Sequence, residues 1–212
     1  MARPALSDSD VEQMRQRICA ATLQIYAEGG YPAVTFRNVA TRLGISHTLI
    51  YRYFRDKEEL LTRLRIDCVV RFREHLIASD PHDRGPLARI YAMAYAGVHY
   101  VLHHPAEYRL IYSLNQPDLE TVQELMAERQ ATFDHMVGVV QQAIDAGLVQ
   151  ADARTLTHII WTCSHGLFTL HSANQLVHGR SLEELIKPTL ETVLGPLLGP
   201  QPESLQKPGV TS

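Results

Sequence analysis

The sequence contains no run of about 18 or more apolar residues, so no segment is long and apolar enough to cross a bilayer as a helix. Cysteine is scarce. Cys19, Cys68 and Cys163 are odd in number, far apart, and set in apolar helical patterns. They exclude a disulfide framework and read as reduced core thiols of a cytoplasmic protein. A basic excess is missing too: 20 Lys and Arg stand against 23 Asp and Glu in 212 residues, a net charge of −3. Any nucleic-acid binding must therefore come from a local patch. The opening "MARPALSDSD" lacks the apolar core of a signal peptide. No stretch alternates with the period of a strand, and no segment repeats. There is no Cys-x-x-Cys, His-Glu-x-x-His, nucleophile elbow or phosphate-cradling glycine loop. That speaks against a metal centre, a bound cofactor and an enzyme.

What is there is helical period almost throughout, and the fold class is all-α. Val11, Met14, Ile18, Ala21 and Ile25 form one stripe on a helix expected over 9–28. Ser9 and Glu12 read as its capping box, and Gly29-Gly30 as its stop. Thr35 can cap a short second helix ending at Leu43, and Gly44 supplies a tight turn. Ser46 can cap a third helix reaching Phe54, and Asp56 with Glu59 opens a fourth, to about Leu76. The turn-rich "SDPHDRGP" breaks the pattern. Further helices are expected over 87–103, 106–113, 118–146, 153–177 and 182–198, with "NQPD" as a turn. Residues 200–212 are polar and rich in proline and glycine, and read as a disordered tail.

The segment "GISHTLIYRYF", Gly44 to Phe54, mixes rings, hydroxyls and a cation with core-type residues. A helical wheel sorts the mixture. His47, Thr48, Tyr51, Arg52 and Arg55 share one arc; Ser46, Leu49, Ile50, Tyr53 and Phe54 take the other side. With the preceding short helix and the Leu43-Gly44-Ile45 turn, this is a helix-turn-helix pattern. The polar arc suits a DNA groove: arginine can fork onto guanine, histidine can bond base edges, and tyrosine hydroxyls can hold phosphates. Between Val34 and Lys57, five cations (Arg37, Arg42, Arg52, Arg55, Lys57) face one acid (Asp56), a local charge of +4. A helical subdomain with incidental surface charge is the alternative.

"TFRNVATRLGISHTLIYRYFRDKEEL", Thr35 to Leu60, closely resembles the DNA-binding region of TetR-family (tetracycline repressor type) transcriptional regulators. The matching residues are Thr35, Val39, Ala40, Leu43-Gly44-Ile45-Ser46, Ile50-Tyr51, Tyr53-Phe54, Lys57 and Leu60. The resemblance implies an all-helical homodimer. Its helix-turn-helix domain would be residues 1–60 and its larger ligand-binding and dimerisation domain residues 61–199. It implies a regulator, a repressor by expectation, that binds a palindromic double-stranded operator and is released by a small-molecule effector. Thr35 and Lys57 would hold phosphates at helix starts. Arg37, His47 and Thr48 would reach bases, and Tyr51 and Tyr53 would clamp the backbone, with Ser46 and Arg52 on the same interface. The wheel leaves Tyr53 only an edge contact or a packing role. Thr48 and Leu49 depart from the family pattern, so the operator sequence cannot be copied from a relative.

The second half carries a stripe of Tyr91, Tyr95 and His99 at four-residue spacing, then Tyr108 and Tyr112, with Met126 and Phe133 on a later helix. "WTCSHG", Trp161 to Gly166, resembles the Trp-His-Gly signature of one group of TetR-type C-terminal domains, and places Trp161 and His165 one turn apart. Core packing and the lining of a ligand pocket both remain open for these residues. The eleven histidines, with His99 and His103 at ligand spacing, fit no metal motif. Leu156, Ile159, Ile160, Leu167 and Leu170, then Leu182, Leu185, Ile186, Leu190, Val193 and Leu197, give two broad apolar faces. Burial within one chain and a four-helix dimer interface both fit them, and the family resemblance favours the dimer.

Overall fold

The computed structural model describes residues 7–112 and 122–198. The expected tail, the "NQPD" turn and the start of the helix expected from residue 118 lie outside the described residues. The helices are α1 (Asp8–Ala33), α2 (Phe36–Leu43), α3 (His47–Ile50), α4 (Lys57–Ala78), α5 (Pro86–His103), α6 (Pro105–Ile111), α7 (Gln123–Asp145), α8 (Ala153–Ser172) and α9 (Leu182–Leu194). A 3-10 turn, Gly195–Leu197, follows α9. Among the described residues the only extended pairing is an isolated antiparallel bridge, Val149 to Leu198.

Several boundaries moved, each for a local reason. The cap of α1 is Ser7, not Ser9: its hydroxyl accepts from Asp10 N, and the Asp10 carboxylate accepts in return from Ser7 N. Gly30, at φ 67°, kinks α1 before its last turn. Ser46 makes no side-chain cap bond; its hydroxyl shares a 2.6 Å hydrogen bond with that of Thr48. Regular α3 stops at Ile50, because Arg52 N bonds Leu49 O and Tyr53 N bonds Ile50 O, tightening the chain into three-residue turns. α8 ends at Ser172 rather than Val177. Asn174 turns to φ 54°, its N–H bonds His171 O, and Gln175 N bonds Leu170 O. That is a Schellman stop built on asparagine instead of glycine.

The chain divides into two units, Met1–Arg71 with Ala106–Glu128, and Phe72–Pro105 with Arg129–Ser212. The division falls inside α4 and inside α7. In the first unit, α1 packs on α2 and α2 on α3. Its buried residues include Ile18, Ile25, Val34, Val39, Ile50, Phe54, Leu60 and Leu64. Burial pushes the Cys19 thiol up to about 12 and the Cys68 thiol higher still, so both are inert packing groups.

In the second unit, α5, α8 and α9 pack on one another. Ile90, Met93, Val139, Val140, Ala143, Val149, Ala153, Leu156 and Leu194 form its core. Gly97 permits a close approach there: a Cβ at that position would lie 3.1 Å from the Phe168 ring. A buried ion pair anchors the turn-rich 79–85 segment. The Asp80 carboxylate, fully shielded, accepts two bonds of 2.7 Å from the Arg89 guanidinium and a 3.1 Å contact from His135 Nε2. Arg89 also donates to the Gln142 amide oxygen at 2.6 Å. The Arg89 bonds hold the Asp80 carboxyl below its ordinary value.

Candidate nucleic-acid interface

The turn between α2 and α3 depends on Gly44, at φ 64°. Gly44 N bonds Thr41 O and Ile45 N bonds Ala40 O, which stops α2 and reverses the chain within two residues. Thr35 caps α2 by accepting from Asn38 N at 3.1 Å. Asp56 caps α4 by accepting from Glu59 N at 2.8 Å, and the Glu59 carboxylate accepts from Arg55 N at 2.8 Å.

The segment from His47 to Arg55 sorts by face as the wheel requires. His47, Thr48, Tyr51, Arg52 and Arg55 are exposed, and Ile50, Tyr53 and Phe54 are buried. Ser46 is the exception on its side, being exposed. Tyr51 is 55% exposed yet not loose. Its ring meets the Phe36 ring edge-on at 4.9 Å and the His47 ring at 5.3 Å. Thr35, Arg37, Ser46, His47, Thr48, Tyr51 and Arg52 are thus all exposed on the helix-turn-helix. Tyr53, 7% exposed, lies in the core.

The charge of this face is smaller than the count of cations. Arg42 makes a two-bond pair with Glu28, at 2.9 and 2.6 Å. Arg55 pairs with Asp56 at 2.9 Å. The Lys57 ammonium lies 3.5 Å from the centre of the Tyr31 ring and donates to Tyr31 O at 2.7 Å. Burial lowers the Lys57 pKa from its ordinary value. Among the described residues Arg37 and Arg52 have no ion-pair partner, and they are the cations left to an incoming polyanion.

Three residues that the sequence did not single out hold this face in place. Arg15, on α1, donates to Tyr53 O at 2.8 and 3.2 Å and covers the Phe54 ring at 5.1 Å. Glu28 neutralises Arg42, and Tyr31 receives Lys57. No local signal marks these partners, because each pairs across 14 to 38 positions.

The residues of the second half fall into separate groups. In the first unit, Tyr108 is 3% exposed with Tyr112 beside it at 4.7 Å, while Met126 is on the surface. In the second, Tyr91 packs against the core, and Tyr95 is exposed. His99 stacks between His75, at 5.3 Å, and His103, at 3.9 Å. Phe133, Trp161 and His165 come together with His158. Phe133 lies 4.4 Å from His158 and 6.4 Å from Trp161, and Trp161 lies 6.0 Å from His165. Burial lowers the His165 pKa. Among the described residues nothing lies within 4 Å of the place that a Cβ on Gly166 would take. Among the described residues no three His, Cys, Asp or Glu side chains are placed to hold a metal ion.

Two stretches of the sequence match known families of one type. Residues 18–64 match bacterial regulatory proteins, tetR family, and residues 90–193 match the tetracyclin repressor-like C-terminal domain. Together they span well over half of the chain. The HTH-type transcriptional repressor KstR of Rhodococcus jostii (strain RHA1) is 36% identical over 87 residues, which are 40% of this chain and 39% of KstR. The chain therefore matches about two fifths of that relative's length. A solved protein of unknown function from Rhodococcus sp. RHA1 has the same fold, with a TM-score of 0.77 at 24% identity over 87% of this chain and 95% of its own. So does the transcriptional regulator FadR from Bacillus subtilis in complex with stearoyl-CoA, with a TM-score of 0.71 at 19% identity over 84% and 97%. The matched families are regulators, not enzymes.

Proposed function

The chain belongs to the tetR family of bacterial regulatory proteins, and from that premise we propose that it is a ligand-responsive transcriptional repressor of the cytoplasm. It binds a palindromic double-stranded operator as a homodimer and is released by a small-molecule effector. The observation that carries the reading is the exposed face of His47, Thr48, Tyr51 and Arg52, backed by buried Ile50, Tyr53 and Phe54. Residues 1–60 are its DNA-binding domain, and residues 61–199 serve effector binding and dimerisation. Arg37, His47 and Thr48 read base edges, and Thr35, Ser46, Tyr51 and Arg52 hold phosphates. Ile159 and Leu170, 43% and 45% exposed on α8, are the apolar surface offered to a second copy. Phe133, Trp161 and His165 are the aromatic group offered to the effector.

The test begins by sequencing the genomic fragments that the protein retains, then titrating the recovered site. Saturation at two chains per palindrome is expected. Arg37→Ala or His47→Ala should narrow the gap between matched and mismatched sites by about 1–3 kcal/mol. Because a FadR of this fold was solved with stearoyl-CoA, long-chain acyl-CoA is the first effector to try. Operator and effector must weaken each other's binding by the same factor. Retention of fragments without a shared sequence would overturn the reading.

A further inference from the structure

We propose that Thr48 selects a thymine in the operator through its methyl group, its hydroxyl being turned back onto Ser46. The inference rests on the DNA-binding reading above and names the base that this side chain reads. Thr48 is the second residue of α3 and is exposed. Its Oγ1 lies 2.6 Å from Ser46 Oγ, a short contact for two hydroxyls. Ser46 does not spend its own hydroxyl on capping α3. Leu49 N bonds Ser46 O at 2.9 Å, so the turn that carries both side chains is closed by its backbone.

A hydroxyl has one proton to donate. When Ser46 gives its proton to a phosphate, the proton between the two hydroxyls must come from Thr48. The donor of Thr48 is then spent inside the protein, and no base acceptor can receive it. Threonine is also stiff about its first side-chain bond, so one hydrogen bond fixes the oxygen and the methyl together. With Oγ1 directed at Ser46, the outward part of the exposed side chain is the methyl. It adds an aliphatic contact to a face whose other exposed residues, Ser46, His47, Tyr51 and Arg52, carry polar groups. In the major groove the complement of such a group is the C5-methyl of thymine.

The experiment takes the duplex recovered from the genome and replaces each thymine in turn by uracil. That exchange removes the C5-methyl and keeps every hydrogen-bonding group of the base. Affinity is measured at one fixed salt concentration for wild type, Thr48→Val and Thr48→Ser. At one thymine per half-site, uracil should weaken wild-type binding about fourfold, the scale of one buried methyl. Exchange in both half-sites should weaken it on the order of fifteenfold. Thr48→Val keeps a methyl and loses the hydroxyl, and should remain sensitive at the same position. Thr48→Ser keeps the hydroxyl and loses the methyl, and should bind the two duplexes equally. A wild type indifferent to uracil at every thymine would overturn the proposal, and that scan needs no change in the protein. Loss of the sensitivity in Thr48→Val, with its survival in Thr48→Ser, would also overturn it and assign the reading to the hydroxyl. Retention of fragments without a shared sequence would sink the DNA-binding reading and this assignment with it. Sequence-specific binding without a uracil effect would sink the assignment alone.

Discussion

The face around α3 and the aromatic run of the later helices draw on the same residue types, and the structure treats them in opposite ways. Around α3, the tyrosines, histidine and arginines separate cleanly. Tyr51 is on the surface and Tyr53, two residues on, is buried. In the later helices, similar side chains scatter. Tyr108 is buried, Tyr95 is exposed, His99 stacks among histidines, and Trp161 joins Phe133. One short segment can present only two faces, so helical period decides the sorting. Within the second unit, residues drawn from α5, α7 and α8 meet according to how whole helices pack.

The anchoring differs too. The α3 face is held by side chains reaching backbone carbonyls near the surface, and the second unit by a shielded ion pair. Asp80→Asn attacks the second region without touching α3. It leaves the buried Arg89 with an impaired partner and should cost on the order of 3–5 kcal/mol in urea unfolding. The pH dependence sharpens the point. The Asp80 carboxyl is held below its ordinary value, so its contribution is full above about pH 4 and is lost as pH falls through the folded pKa. The variant should lose less stability on acidification than wild type. Equal acid sensitivity in both would show that this pair does not anchor the unit.

The matching strike on the first region is Gly44→Ala. It forces a Cβ into the left-handed region at φ 64° and should cost about 1–2 kcal/mol. Space is not the obstacle, since nothing lies within 4 Å of the position a Cβ would take. Gly85→Ala, where a Cβ also meets open space but φ is −63°, is the control and should be near neutral. Equal effects at the two glycines would remove backbone conformation as the cause.

The smallest effect concerns the sole tryptophan. Trp161 stacks 6.0 Å from His165, and a protonated imidazole at that distance should quench its fluorescence. Burial lowers the His165 pKa, so quenching should set in with a midpoint below the ordinary histidine value of about 6.5. His158 also lies 6.3 Å from Trp161, so the comparison is made in a His158→Gln background, where His165→Gln should abolish it. A midpoint at or above 6.5 would place His165 in a more solvated or more acidic setting than the structure gives it.

Much of this was legible because the signals are local. α5 ends at His103, before Pro105, as expected, and Gly44 and the Thr35 cap mark the helix-turn-helix. Where the sequence misled, a different residue did the expected job. Asn174 stops α8 where glycine was awaited, and Ser7 caps α1 in place of Ser9. The shortened α3 is of another kind. Beyond Ile50 the chain tightens into three-residue turns, and neither helical period nor a capping residue marks that change.

By itself, then, the sequence determined the helical class, the helix-turn-helix and which of its side chains face outward, because helical period and capping act within a few residues. Tertiary structure alone decided which cations on that face are free. Arg42 is neutralised by Glu28, and Lys57 is seated on Tyr31, while Arg37 and Arg52 remain open. It alone decided that Asp80 meets Arg89 and His135, and that Phe133 meets Trp161. Pairing of charges and rings depends on distances between helices, and no spacing along the chain encodes a contact made across 26 or 55 positions.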